Sequence, residues 1–216
     1  KTNSNLPSHL AWLFQTAEWV PCAGGLHCGS NVFQPSGAVA KELKAFVPRL
    51  DLPEKEAERT QMVLSSEFLN ACGIRNGWKE VNNNDWRSWL RKASQMQPNA
   101  NDDRQACDAI RGLYRALLDR RKRKIGDRLH EKDAEPLDNI ELWSIERGDD
   151  ARESWHWLTS NDNKPFFVDR PDVADVNLPG LRVFPVRLDS LAEKARQHLD
   201  LRPLSEALSG VPSEQG

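Results

Sequence analysis

The feature that most constrains the fold of this chain is a recurrence. Slid against itself by 138 positions, the sequence sets Trp19 on Trp157, Phe46 on Phe184, and "PRLD" (48–51) on "VRLD" (186–189) without a gap. Each copy runs in the same order: a tryptophan-bearing strand, a turn rich in glycine or asparagine, an aromatic, an extended F-x-x-R-L-D segment, a helix, and a closing "GIR" (73–75) or "DLR" (200–202). Repeated order is the mark of a supersecondary unit used twice. The predicted architecture is therefore α+β, two related β-hairpin-plus-helix modules joined by a helical section. The first module is placed at 1–80, a connector with a basic helix at 81–135, the second module at 136–210 and a flexible tail at 211–216.

The local signals fill in this plan. Ser8 can cap a short helix carrying Leu10, Trp12 and Leu13, after which "EWV" starts a strand that Pro21 and the Ala23-Gly24-Gly25 turn end, with a second strand near Val32 and Phe33 closing a hairpin. Pro53 opens a helix running to about Cys72, with Gly73 as its left-handed cap. Asn84 or Asp85 is expected to cap the next helix, which carries Trp86, Trp89, Leu90 and Ala93 on one face. The longest helix is predicted over 102–131, its apolar side at Ile110, Tyr114, Leu117, Leu118, Ile125 and Leu129. Strands follow in "NIELWSI", "SWHWL", "KPFFVD" and "LRVFPVRLD", and Ser190 with Glu193 has capping-box spacing ahead of a last helix carrying Leu191, Ala195 and Leu199.

The stretch "EWVPCAGGLHCGSNVFQPSG" (18–37) has the composition of a ligand site. Cys22, His27 and Cys28 could supply three zinc ligands, but a C-x5-C interval with an adjacent His-Cys pair departs from the C-x2-4-C spacing of structural zinc sites. Neither phosphate-binding glycine pattern, G-x-x-x-x-G-K-[ST] or G-x-G-x-x-G, occurs here. In the repeat its counterpart is "TSNDN" (159–163), which lacks cysteine and histidine, so the glycines read as turn residues and the cysteines as small buried side chains. No cofactor and no catalytic residue is assigned. Four cysteines (Cys22, Cys28, Cys72, Cys107) at irregular spacing do not form a disulfide framework.

A formal net charge of -2 provides no global field for nucleic acid or membrane, so such a partner would need a local patch. The one candidate is the basic run with Arg115, Arg120, Arg121, Lys122, Arg123, Lys124 and Arg128. Five consecutive cations on a helix radiate in all directions, which suits a solvated helix better than one phosphate track, and nearby acids weaken the field further. Trp155, His156 and Trp157 could stack bases, yet strand alternation sends the two indoles to one face and reads as core packing. Asp169, Asp172 and Asp175 read as solvated loop charges.

Three segments together carry a family resemblance: "WVPCAGGLHCGSNVF" (19–33), "FLNACGIRN" with "DWRSWLRKA" (68–76 and 85–93), and "PFFVDRPDVADV" with "LRVFPVRLD" (165–176 and 181–189). They resemble the strand-turn-strand, short tryptophan-helix and aspartate-rich segments found downstream of the ATPase module in large sacsin-like proteins with an Hsp90-type ATP-binding domain. The resemblance implies a helper or scaffold region of a multidomain cytosolic assembly, chaperone-like or of bacterial defence type. The E-x-x-x-N helix and D-x-G-x-G loop of the ATPase are missing here, so it implies no ATP-binding residue at any position of this chain.

The functional expectation is a non-catalytic scaffold or protein-interaction region whose partners are other domains of a parent polypeptide or a partner protein. A nucleic-acid-binding module using residues 115–128 is the alternative, and a Cys/His enzyme or zinc site the second. A chain opening on Lys1 in mid-composition is expected to be a piece of something larger. No apolar run reaches the ~18 residues needed to span a bilayer, and neither "KTNSNLPSHL" nor the reduced-thiol cysteine usage suggests secretion, so the expected location is the cytoplasm without a membrane partner. The scaffold reading also expects the tryptophans to be buried.

Overall fold

The computed structural model describes residues 8–50, 66–99, 103–126, 141–147, 153–159, 162–173, 180–186, 199 and 201–209. It is an α+β protein that divides into two compact units, Lys1–Trp89 and Leu90–Gly216.

In the first unit, α1 (Ser8–Thr16) leads into a hairpin of β1 (Glu18–Cys22) and β2 (Gly25–Cys28). Gly24 and Gly25 hold φ at +99° and +136° with open space around them, so the turn selects glycine for its backbone angle. The hairpin thus closes on Gly25–Cys28 and not, as expected, near Val32 and Phe33. Phe33 instead bridges Arg49 on one side and Arg75 on the other, both in parallel, while Cys22 bridges Leu50 in antiparallel sense. The short helices α2 (Ala38–Glu42) and α3 (Ser66–Ala71) punctuate these connections, and Gly73, at φ +83°, follows α3. The start of the helix expected from Pro53 lies outside the described residues. Val20, Cys22, Val32 and Ile74 form the center of the core, with Trp19, Leu50 and Leu69 against it.

The helix α4 (Asn83–Ser94) is fixed by a reciprocal cap. The Asp85 N–H donates to Asn82 Oδ1 (3.1 Å) while the Asn82 N–H donates to Asp85 Oδ2 (2.8 Å), so the cap is Asn82 rather than Asn84 or Asp85. The predicted apolar face is buried: Trp86 and Ala93 at 0% exposure, Trp89 and Leu90 nearly so. Asp85 also receives two hydrogen bonds from Arg75, Nη1 at 2.6 Å and Nη2 at 2.8 Å, and the Arg75 guanidinium lies 4.2 Å over the Phe33 ring. Phe33 in turn meets Trp89 at 6.2 Å, and Trp89 meets Trp86 edge-on at 5.0 Å.

In the second unit, α5 (Arg104–Gly126) packs its Ile110, Leu113, Tyr114 and Leu117 stripe inward. The hairpin of β3 (Leu142–Arg147) and β4 (Glu153–Leu158) pairs Trp143 with Trp157 and Ile145 with Trp155. The Trp143 N–H donates to the Tyr114 hydroxyl (2.6 Å), its indole N–H to the Ala93 carbonyl (2.7 Å), and Tyr114 stacks on Phe184 at 5.1 Å. The Asn99 amide donates to the Trp155 carbonyl and accepts from its N–H, acting as a strand neighbour to the edge of β4. Ile145 bridges Val183 in antiparallel sense and Val183 bridges Phe166 in parallel; β5 (Phe166–Phe167) then pairs in parallel with β6 (Arg202–Pro203). The described C-terminal helix is α6 (Leu204–Ser209); the helix expected from Ser190 lies outside the described residues except at Leu199.

Numbering the extended segments of each unit in chain order, both sheets read second, first, fourth, third, fifth, with the same sense at every step. The residues this order makes equivalent are Cys22 and Ile145, Phe33 and Phe166, Leu50 and Val183, Arg75 and Arg202, spaced 123 to 133 positions apart. The 138-residue register is a different one: Trp19 lies on the first strand of its hairpin and Trp157 on the second strand of the other. Hairpins and connections of unequal length rule out one ungapped offset. The expectation that the tryptophans are buried fails at Trp12, which is 65% exposed.

Two outcomes follow. The Arg75–Asp85 side chains are only 11% and 13% exposed, so Asp85→Ala leaves a cation stranded in the core and should lower the stability of the first unit by on the order of 3 kcal/mol in urea titrations. In the second unit, burial pushes the Asp169 carboxyl up, but hydrogen bonds from the Ser205 hydroxyl and N–H outweigh it and hold Asp169 below its ordinary 3.8. A depressed carboxyl contributes stability above its unfolded value and loses it as pH falls through the folded one. Acidification below about pH 4 should therefore lower the melting temperature less steeply in Ser205→Ala than in the parent chain.

Candidate interaction surfaces

The cysteine and histidine of the opening stretch are distributed by the strand pleat. Val20 and Cys22 point into the core on β1, whereas His27 and Cys28 are half-buried on β2. The Cys28 thiol donates to the Thr16 carbonyl at 3.0 Å, tying the hairpin to the end of α1. Gly29 lies so close to the Cys72 and Phe14 carbonyls that an added Cβ would sit 2.2 Å and 2.7 Å from them, so this glycine serves close packing. Among the described residues no group of three or more His, Cys, Asp or Glu side chains is placed to hold a metal ion.

The residues of the nucleic-acid alternative are only partly described. Arg115 is exposed on α5; the backbone of Arg120, Arg121, Lys122, Arg123 and Lys124 continues the same helix, but their side chains, and all of Arg128, lie outside the described residues. Arg111, one turn before Arg115 and not singled out by the sequence, pairs with Glu153 and lies 5.1 Å over the Trp155 ring. These two arginines and Glu153 edge a cleft of about 310 Å³ floored by Ile145, Val183 and Phe184. Arg111 is held by its carboxylate and ring, which leaves Arg115 as the cation of the cleft that can meet an anion.

Trp155 is buried and Trp157 half-buried against Trp143 at 5.3 Å, so neither presents an open stacking face. Asp169 caps the chain at Ser205 and Asp172 pairs with Arg170 at 3.2 Å on the surface; Asp175 lies outside the described residues.

The large apolar side chains exposed among the described residues are Trp12 (65%), Leu13 (47%) and Leu26 (57%). All three belong to the first unit, on α1 and on the strand whose far end Cys28 fastens to α1. Trp12 falls in the apolar run "LAWLF", which sequence patterning alone assigns to the core.

Burial also sorts the thiols. It pushes Cys72 and Cys107 above their ordinary 9.0, and Cys22 and Cys72 are buried while Cys28 and Cys107 are half-buried. Mass-resolved alkylation of the native chain should therefore label Cys28 and Cys107 and spare Cys22 and Cys72 until denaturant is added. Equal labelling of all four would contradict this packing. Comparison with family models, with curated proteins and with solved structures finds no match to this chain.

Proposed function

We propose that this chain is a non-catalytic protein-interaction or scaffold region of a larger cytosolic assembly, in keeping with its resemblance to the non-ATPase part of sacsin-like proteins. The observation that carries the reading is the exposure of Trp12, with Leu13 and Leu26, on a unit whose own core is closed by other residues. An indole in water forgoes on the order of a few kcal/mol of burial free energy, which a partner surface can recover. Exposed apolar surface gathered on one unit is what a protein contact would cover. No helix among the described residues is long and apolar enough to cross a membrane.

The test compares the chain with a Trp12→Ala, Leu26→Ser variant, each purified from cells at low and high salt and examined by native mass spectrometry. A defined protein partner should accompany the parent chain, survive high salt and be lost from the variant at unchanged melting temperature. Retention of the partner by the variant would defeat the reading, and co-purifying nucleic acid released by salt would transfer it to the basic helix.

A further inference from the structure

The cleft edged by α5 in the second unit has an apolar interior and a charged rim. Its walls include Ile145, Val168, Phe184 and Val186, all buried, with Val183 half-buried among them. At about 310 Å³ it stands at the lower end of the roughly 300–1,000 Å³ usual for small-molecule pockets, which gives room for one ring or branched chain and too little for a nucleotide.

Three charges stand on the rim. Arg111 and Arg115 lie one helical turn apart on α5 and so share a face, while Glu153 comes from the start of β4. Glu153 is committed to Arg111, and the Trp155 ring backs the same guanidinium at 5.1 Å. That pair cancels, so the rim keeps the positive charge of Arg115, which is exposed and meets no carboxylate among the described residues. A guanidinium fork takes a planar carboxylate through two parallel hydrogen bonds, whereas phosphate sites gather backbone N–H groups or several cations. Pro185, in the wall, offers no N–H. The apolar walls favour a hydrocarbon body on the same molecule and keep water from one side of the ion pair.

We infer that this cleft binds a small organic acid, its carboxylate held by Arg115 and its aromatic or branched aliphatic body against Ile145, Val168 and Phe184. The site goes beyond the interaction-region reading and is independent of it, since that reading rests on Trp12 and Leu26 of the first unit.

The probes are benzoate, hydrocinnamate, indoleacetate and isovalerate, each titrated into the full chain by isothermal calorimetry, with saturation-transfer NMR reporting which ligand protons touch the protein. Saturable binding of at least one acid is expected, with transfer strongest at its hydrocarbon body. Arg115→Ala should weaken it about tenfold or more, and Arg115→Lys less, at an unchanged melting temperature because the side chain is exposed. The matching amide, which loses the charge, should bind about tenfold weaker or worse, and so should acetate, which loses the body. No saturable binding by any of the acids would overturn the inference, as would binding that Arg115→Ala leaves unchanged. So would phenyl phosphate or an oligothymidylate binding through Arg115 more tightly than the acids. The Trp12→Ala, Leu26→Ser variant should bind the acid as the parent chain does, so failure of one reading is distinguishable from failure of the other.

Discussion

A guanidinium cannot be taken out of water without partners for its charge and its donors, and Arg75 is nearly buried. Its partners organise the first unit. Asp85 neutralises the charge through two hydrogen bonds, the Glu80 carbonyl accepts a third at 3.2 Å, and the guanidinium lies over the face of Phe33, while its buried Nε–H finds no hydrogen-bond partner among the described residues. Asp85 can serve this way because the Asn82 cap places it at the first turn of α4. The same cap orients Trp86 and Trp89 onto the sheet. One ion pair thereby links the end of the sheet to the helix that covers it, and Phe33 connects both to the strands through its bridges to Arg49 and Arg75.

The second unit reaches the same strand order with another lock. Tyr114 is wholly buried on α5, and burial raises its hydroxyl far above its ordinary range despite the hydrogen bond from Trp143. It stays neutral and serves as a polar anchor in an apolar layer. Around that anchor the Trp143 indole N–H donates to the Ala93 carbonyl of α4, and the Asn99 amide pairs with the Trp155 backbone on β4. The ion pair is therefore not required by the topology. It comes with α4, which carries Asp85; at the equivalent Arg202, which is exposed, no carboxylate among the described residues meets the guanidinium.

Much of this was legible in residue order. The hairpin turn followed from Ala23-Gly24-Gly25, the inward stripe of α5 from the spacing of Ile110, Tyr114 and Leu117, and the buried face of α4 from Trp86, Trp89 and Ala93. The partner of β1 was misplaced because the two-residue Ala23-Gly24 turn, with Gly25 opening β2, competes with the more apolar Val32-Phe33 pair, and backbone geometry decides for the turn. Trp12 was misread because an apolar run does not say which of its side chains finds a neighbour. Arg75 and Arg202 stood in the repeated "GIR" and "DLR" endings, but nothing local distinguishes an arginine that will be buried from one that will not.

What the sequence by itself determined is local: the α+β composition, the turns that need positive φ, the apolar faces of the helices, and two similar successions of segments. These follow from backbone sterics and periodicity, which act over a few residues. The strand order, the equivalence of Phe33 with Phe166, and the contrast between a covered and an uncovered arginine were decided by the tertiary structure alone. Ladder pairing and the compensation of a buried charge depend on groups that meet only after loops of unequal length have closed.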